Sequence, residues 1–143
     1  MKPTLSVAVT CYNEAKNLPL VLERFKNAFD TAGITSHVEL ILVDNNSKDE
    51  SAEVLKRELA KPEHAFARTV FQPTPGYGAA VRKGLEIGKG EYLCWTHADL
   101  QTDPNDVAKA YTLIQQQKDP KHCYVKGDRH GRPLFDQDRK SVV

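Results

Sequence analysis

The sequence lacks the features of secreted, metal-clustered and membrane-spanning chains. Its three cysteines, Cys11, Cys94 and Cys123, are far apart and form no CxxC pair, so neither a disulfide framework nor a cysteine zinc site is expected. No signal peptide is recognisable, and no apolar run approaches the roughly 18 residues that a membrane helix needs. We therefore expect a cytoplasmic protein with reduced thiols.

A strong charge of either sign is also missing, as are internal repeats and low-complexity segments. Twenty Lys and Arg residues against 19 Asp and Glu residues give a formal net charge of +1. A dedicated nucleic-acid binder would carry a strongly basic face, so we expect no nucleic acid among the partners. An anion pocket needs only a few local charges and is compatible with this balance. The 143 residues fit one domain with its own hydrophobic core.

Short apolar runs alternate with amphipathic segments along the chain. Four runs predict strands, at residues 5–11, 37–43, 65–71 and 92–95. Amphipathic periodicity predicts helices over residues 17–33, 47–60, 79–88 and 104–117. Nearly continuous apolar strands that alternate with helices indicate an α/β fold, a three-layer α/β/α sandwich around a mostly parallel, Rossmann-like sheet. Residues 123–126 predict a fifth, edge strand.

Helix boundaries carry three local signals. Ser47 followed by Glu50 is a capping-box pattern, and Asp103 before Pro104 is a favourable helix start. Gly33 is a favourable residue for the end of the first helix. These signals predict where three of the loops turn into regular structure.

Polar clusters follow three of the predicted strands. They are Tyr12-Asn13-Glu14, Asp44-Asn45-Asn46-Ser47 and His97-Ala98-Asp99-Leu100-Gln101. In a parallel sheet the carboxyl ends of the strands lie at one edge, where ligands bind, so the three clusters should converge. Asp44 or Glu14 could accept hydrogen bonds from a ribose or a base, and Asp99 could hold a divalent cation between two phosphates. The alternatives are a turn-forming aspartate at Asp44 and a solvated surface charge at Glu14.

Two basic residues are further candidates for phosphate contacts. Arg82 follows Gly76-Tyr-Gly78, which is not a dinucleotide fingerprint because Val81 occupies the place of the third glycine. Arg82 therefore faces either a phosphate or, as an ordinary helix-surface charge, the solvent. Arg129 lies in a basic loop after a predicted strand and is the preferred phosphate contact, with a solvated basic tail as the alternative.

Four stretches together resemble the inverting family-2 glycosyltransferases with the GT-A fold, and among them the dolichol-phosphate mannosyltransferase-like branch. They read VAVTCYNEAKNLPLVLERF, ELILVDNNSKDESAEVL, GYGAAVRKGLEIGKGEYLCWTHADLQTDP and VKGDRHGRPLFD. The resemblance implies a metal-dependent hexosyltransferase that uses a UDP- or GDP-sugar donor with Mn²⁺ or Mg²⁺. It also implies transfer with inversion to an acceptor, either a polyprenyl or dolichyl phosphate or a carbohydrate.

The resemblance implies roles for residues in the first two clusters. Tyr12, Asn13 and Glu14 match the first nucleotide-contacting loop of the family. Asp44 matches the acidic residue that binds the nucleoside, and we include its neighbour Asn45 in the expected donor site. No catalytic base is assigned, because in many members it lies beyond the matched stretches.

The third cluster matches the metal-binding part of the family. Asp99 corresponds to the second carboxylate of the DxD-type motif, Gln101 to the amide ligand after it, and Arg129 to the basic residue at the diphosphate. The first acidic position of the motif is His97 here, and imidazole is a poor Mg²⁺ ligand although it can bind Mn²⁺. His97 is therefore either a metal ligand with a changed preference or a hydrogen-bonding residue near the sugar.

The resemblance also sets the expected domain organisation. We expect residues 1–143 to form a single GT-A donor-binding domain, the N-terminal part of a longer protein. Membrane association, at a cytoplasmic face, would then come only through sequence beyond Val143. Two alternatives are a truncated or degenerate nucleotide-binding domain without transferase activity and a sugar-nucleotide nucleotidyltransferase on a similar sheet.

Overall fold

The computed structural model describes residues 2–127, in which strands and helices alternate. The strands are β1 (Leu5–Cys11), β2 (Val38–Asp44), β3 (Ala67–Phe71) and β4 (Tyr92–His97). The α-helices are α1 (Leu18–Ala32), α2 (Ser51–Leu59), α3 (Tyr77–Ile87) and α4 (Pro104–Gln115). Three short 3₁₀ turns cover Thr35–His37, Pro62–His64 and Pro120–His122. None of the helices in this part of the chain is long and apolar enough to cross a bilayer.

The four strands form one parallel sheet in the order β3-β2-β1-β4. Helices α1, α2 and α4 pack on one face and α3 on the other, which confirms the α/β/α sandwich. The chain moves outward from β1 to β3 and then returns past β1 to β4. Because crossovers are right-handed, this reversal requires α3 to lie on the opposite face from α1 and α2. Ligands of such sheets bind where the strand order reverses, here between the carboxyl ends of β1 and β4.

The alternation of side chains along β1 explains the spacing of the layers. Leu5, Val7, Val9 and Cys11 are buried against α1 and its neighbours, whereas the residues between them are small. Ala8 on this second face lets α3 approach so closely that a Cβ on Gly84 would lie 2.5 Å from the Ala8 Cβ. Helix α3 is therefore seated on the sheet with little room to shift.

A polar network around Glu39 ties the connection between α3 and β4 to the sheet. Its carboxylate accepts hydrogen bonds from Ser6 Oγ at 2.6 Å, from Lys89 N at 2.6 Å and from Arg68 Nε at 3.0 Å. Partial burial works to raise the pKa of Glu39, but these donors outweigh it and the pKa is lowered. The network is structural, because it lies at the amino-terminal half of the strands, away from the polar clusters.

Two of the local predictions are confirmed and two are wrong. Asp103 caps α4, with Oδ1 accepting from the backbone N–H of residue 105 at 2.9 Å, and Gly33 ends α1 in the left-handed region at φ 71°. Ser47 does not form a capping box with Glu50, because its hydroxyl accepts a hydrogen bond from another loop. Residues 123–127 form no strand, since no neighbouring strand pairs with them in the part of the chain that the structure describes.

Candidate functional site

The polar clusters after β1 and β2 are bound directly to each other. Asn13, in the left-handed region at φ 53°, donates its N–H to Ser47 Oγ at 3.0 Å. Its side-chain Oδ1 accepts from Lys48 N at 2.7 Å. Asp49 Oδ2 accepts from Ala15 N at 3.2 Å, which adds a third bond between the loops. Two chain segments more than thirty residues apart therefore form one rigid rim.

Two carboxylates face this rim. Asp44 is 7% exposed, and its Oδ1 accepts one hydrogen bond, from Ser47 N at 3.1 Å. Glu14 Oε2 accepts from Asn17 Nδ2 at 2.7 Å. Burial, followed by the negative charges of Asp44 and Glu14, raises the pKa of the Cys11 thiol beneath them. The site therefore concentrates negative charge at the ends of two neighbouring strands.

The cluster after β4 is built as a compact turn. Asp99 is half-buried, and its Oδ1 accepts from the backbone N–H of Gln101 at 3.0 Å. Leu100 between them adopts the left-handed region at φ 63°. The hydroxyls of Thr96 and Thr102 are joined by a 2.9 Å hydrogen bond that closes the turn. These contacts fix the direction of the Asp99 side chain.

Strand register brings the three clusters to one edge of the sheet. Cys11 pairs with Asp44, and Thr10 pairs with His97, so β1, β2 and β4 end within one residue of each other. The next residues continue the pairing, with Asn45 N donating to Cys11 O at 2.9 Å and Ala98 N to Thr10 O at 3.2 Å. The predicted convergence of the clusters is confirmed. The individual ligand contacts stay predictions.

Asn45 also fixes the loop after β3. Its side-chain Nδ2 donates to the carbonyl of Gln72 at 3.2 Å and to that of Thr74 at 2.7 Å. The side chain is thus occupied in positioning the loop that leads into α3. This geometry gives Asn45 a structural task within the expected donor site.

His97 contacts an aromatic side chain from α3. The rings of His97 and Tyr77 stack with centroids 4.7 Å apart and an interplanar angle of 17°. Tyr77 also lines an open cavity of about 610 Å³ together with Arg82 and Trp95. Arg82 is exposed there, so its guanidinium is accessible to a ligand.

Two other predicted residues, Tyr12 and Gln101, are exposed to solvent. Tyr12 is 54% exposed at the tip of the first loop, and Gln101 is exposed after β4. Arg129 lies outside the described residues. The side chains of Tyr12 and Gln101 are therefore accessible to a ligand at the rim.

The donor atoms suit a cation that is shared with a substrate. Among residues 2–127 no group of three or more His, Cys, Asp and Glu side chains is arranged to hold a metal ion. Mg²⁺ and similar hard cations are commonly held by one or two carboxylates together with substrate phosphates. Asp99, with its carboxylate fixed by one hydrogen bond, fits that arrangement. His97 and Gln101 are the adjacent candidates.

Sequence reasoning missed two residues of the site. Asp49 binds both Ala15 N and the start of α2, where its Oδ1 accepts from Ser51 N at 2.9 Å. Because Asp two residues before a helix start commonly forms this turn, the pattern was available in the sequence. No sequence pattern predicts the contact of Tyr77 with His97, because only the tertiary structure brings the two residues together.

Comparisons with known proteins agree with this geometry. The profile of Glycosyl transferase family 2 matches residues 6–132. Undecaprenyl-phosphate 4-deoxy-4-formamido-L-arabinose transferases are similar over 112 residues, with 33% identity for the one from Photorhabdus laumondii and 30% for the one from Pseudomonas savastanoi. Each alignment covers 78% of this chain. The chain spans about a third of the length of these relatives, 34% and 33% respectively.

Solved structures share the fold. The mannosyltransferase PcManGT from Pyrobaculum calidifontis, in complex with GDP-Man and Mn²⁺, is 25% identical with a TM-score of 0.63, and the match covers 80% of this chain and 33% of that one. Glucosyl-3-phosphoglycerate synthase from Mycobacterium tuberculosis has a TM-score of 0.60 at 20% identity, covering 81% and 41%. With the family profile matched over most of its length, the chain belongs to Glycosyl transferase family 2.

Proposed function

We propose that the chain is the donor-binding part of a metal-dependent hexosyltransferase that moves a sugar, with inversion, from a UDP- or GDP-sugar to a polyprenyl phosphate. The main support for a donor site is the pair of carboxylates, Asp44 and Asp99, at the strand ends. Neither forms an ion pair among the described residues. For the buried Asp44, a carboxylate without a counter-charge is unfavourable, and a nucleotide bound with its cation would supply partners to both side chains.

The residues divide the work of binding the donor. Asp44, rigidly placed by Ser47 N, accepts hydrogen bonds from the nucleoside. Glu14 and Tyr12 cover it from the neighbouring loop, whose position the bonds of Asn13 fix. Asp99, with Gln101 and His97 beside it, would hold Mn²⁺ or Mg²⁺ against the diphosphate. When bound, the metal stabilises the negative charge that grows on the leaving diphosphate.

The acceptor is proposed from the relatives. Those named above act on undecaprenyl phosphate by their names. A lipid phosphate oxygen is already ionised and can attack the anomeric carbon without a protein base. This chemistry suits a chain in which no base has been identified, and Arg82 and Arg129 are the proposed cations for the phosphates. A cytoplasmic location, at a membrane face for the longer protein, is part of the same proposal.

The test is a calorimetric titration of the chain with GDP and with UDP, with and without Mn²⁺. Asp44→Asn keeps the size of the side chain and its contact to Ser47 N but removes the charge. Loss of charge-assisted hydrogen bonds costs about 1.5–3 kcal/mol, so nucleotide affinity should fall roughly 10- to 100-fold. Asp99→Asn should remove the dependence on Mn²⁺ and leave metal-free binding unchanged.

The matched control is Glu53→Gln on the exposed surface of α2, which should leave both affinities unchanged. Binding of neither nucleotide in the presence of Mn²⁺ would contradict the proposal. Equal loss in the control variant would show that general charge, rather than the site, governs binding.

A second candidate is a nucleotide-binding domain without transferase activity. His97 at the first acidic position of the motif favours it, because imidazole brings no negative charge to a cation. His97→Asp separates the two readings of this residue. A weakened metal site should gain Mn²⁺ affinity, whereas an unchanged affinity would mean that His97 serves the sugar instead. Transfer of labelled sugar to a polyprenyl phosphate then distinguishes a transferase from a binding domain.

A further inference from the structure

Tyr77 and His97 link two elements of the site that are far apart in sequence. Tyr77 is the first residue of α3, and His97 is the last residue of β4. Their rings lie nearly parallel at 4.7 Å and 17°, close enough for stacking contact. His97 is also two residues before Asp99. The stack therefore connects the entrance of α3 to the proposed metal-binding turn.

The chain positions Tyr77 from both sides. On the N-terminal side, Gly76 turns the backbone at φ 115°, a conformation that residues with side chains rarely adopt. The loop before it is held at two carbonyls by the Asn45 side chain. On the C-terminal side, Gly84 lets α3 lie directly against β1. The backbone on both sides of Tyr77 therefore places its ring at the end of β4, where it stacks on His97.

His97 depends on this contact for its orientation. Neither of its ring nitrogens has a hydrogen-bond partner within the described part of the chain, whereas the buried His64 uses Nδ1 to contact the Glu58 carbonyl at 2.7 Å. His97 is only half-buried. Without the stack its ring would be free to rotate about χ1 and χ2 among several rotamers. The Tyr77 ring favours the orientation in which the imidazole lies nearly parallel to it, at an interplanar angle of 17°.

The stack of Tyr77 on His97 differs from core packing because Tyr77 is exposed to solvent. Tyr77 is 44% exposed, in contrast to the aromatic pair Phe25 and Phe29, which are 3% and 0% exposed in the core. A half-exposed stack at the mouth of a site contributes little to the core of the fold. The stack does place the Tyr77 ring against the imidazole that lies two residues before Asp99.

We propose that Tyr77 is a positioning residue, whose ring holds the His97 imidazole in the orientation that the nucleotide-diphosphate donor requires. The inference rests on the proposed function and extends it by a residue outside the motif. Tyr77 itself touches the imidazole, and it acts on the donor through that ring.

The first measurement follows the stack without any ligand. Ring-current shifts move the carbon-bound protons of His97 upfield when a parallel ring covers them, and NMR of the imidazole reports this directly. Tyr77→Phe keeps the ring and should keep the upfield shift. Tyr77→Ala removes the ring and should abolish it. A shift that persists in Tyr77→Ala would overturn the stack.

The second measurement is calorimetric binding of GDP and UDP, each with Mn²⁺. Losing the orientation of one contacting ring should weaken binding in Tyr77→Ala roughly 3- to 10-fold, while Tyr77→Phe stays within about twofold of wild type. His97→Ala should weaken binding, and adding Tyr77→Ala to it should have no further effect, because both changes remove the same contact. Tyr124→Ala, at a tyrosine that is 84% exposed, is the matched control and should bind as wild type.

The outcomes distinguish this inference from the function on which it rests. If the wild-type chain binds neither nucleotide, the proposed function fails and the inference fails with it. If wild type binds and Tyr77→Ala binds equally well after losing the ring-current shift, only the positioning role is overturned. Additive losses in the double variant, or a Tyr77→Phe as weak as Tyr77→Ala, would also overturn it.

Discussion

Replacing Gly84 by alanine should push α3 away from the sheet. The added Cβ would lie 2.5 Å from Ala8 Cβ and 3.1 Å from Val43 Cγ2, and both neighbours are buried in the strands. Ala8 Cβ has no rotamer that moves it aside, so the backbone must shift. Overpacking by a methyl group costs up to about 3 kcal/mol, and glycine to alanine in a helix recovers about 1 kcal/mol. We expect a net loss of up to about 2 kcal/mol in the free energy of unfolding.

Gly78→Ala is the matched control for this change. Gly78 lies in the same helix, at a position where an added Cβ meets no heavy atom within 4 Å. This variant should be as stable as wild type or more stable, because alanine favours the helix. Urea unfolding followed by far-UV circular dichroism measures both free energies with the same slope. Equal stability of Gly84→Ala and Gly78→Ala would refute the argument that α3 is seated on Ala8.

Three further predictions concern the stability of the fold and the reactivity of its thiols. The pKa of Glu39 is lowered in the fold from its ordinary 4.5, so the ionised carboxylate stabilises the fold above that value and this stabilisation is lost as the pH falls through the lowered pKa. Glu39→Gln should therefore flatten the acid side of a plot of urea midpoint against pH. An unchanged slope would contradict this. Burial raises the pKa of the Cys11 thiol, and that of the Cys94 thiol to about 12, whereas Cys123 is exposed. A thiol-disulfide reagent should therefore modify Cys123 promptly in the folded chain and all three cysteines after unfolding. Asn45→Ala leaves two carbonyls of the loop after β3 without their donor and should cost about 1–3 kcal/mol by urea unfolding, with Asn45→Asp equally destabilised because a carboxylate cannot donate.

Most of the fold could be predicted from local patterns. The run from Leu5 to Cys11 has one large apolar face and one small face, which is what a strand between two helical layers requires. The edge position of β4 could not be predicted in the same way, because strand order depends on which strands pair in three dimensions. The same limit explains the wrong fifth strand. Residues 123–126 have strand-like composition, but no described strand is available to pair with them.

The site was predictable in its location and less so in its construction. Asp44 and Asp99 follow apolar runs, and parallel strands bring such ends together, so both could be placed at one edge. The contact between Asn13 and Ser47 spans 34 positions and replaces the local capping box that the sequence favours. The tertiary structure decides which donor lies near the Ser47 hydroxyl, whereas a capping-box pattern considers only residues that are close in sequence. The stacking of Tyr77 on His97 escaped prediction for the same reason.

The carboxylates of the described residues fall into two groups according to their partners. Glu39 pairs with an arginine at 3.0 Å and Glu58 with a lysine at 2.8 Å, so their charges are satisfied within the fold. Asp44 and Asp99 each accept a single backbone hydrogen bond, at 3.1 and 3.0 Å respectively, and form no ion pair in residues 2–127. A ligand that supplies their partners must stabilise the folded chain, by about 2.7 kcal/mol when its free concentration is 100 times Kd. At the same ligand concentration the 10- to 100-fold weaker binding expected of Asp44→Asn should reduce that gain to about 0.4–1.4 kcal/mol. Glu58→Gln should keep the full gain, although it is the variant that removes an ion pair of the fold.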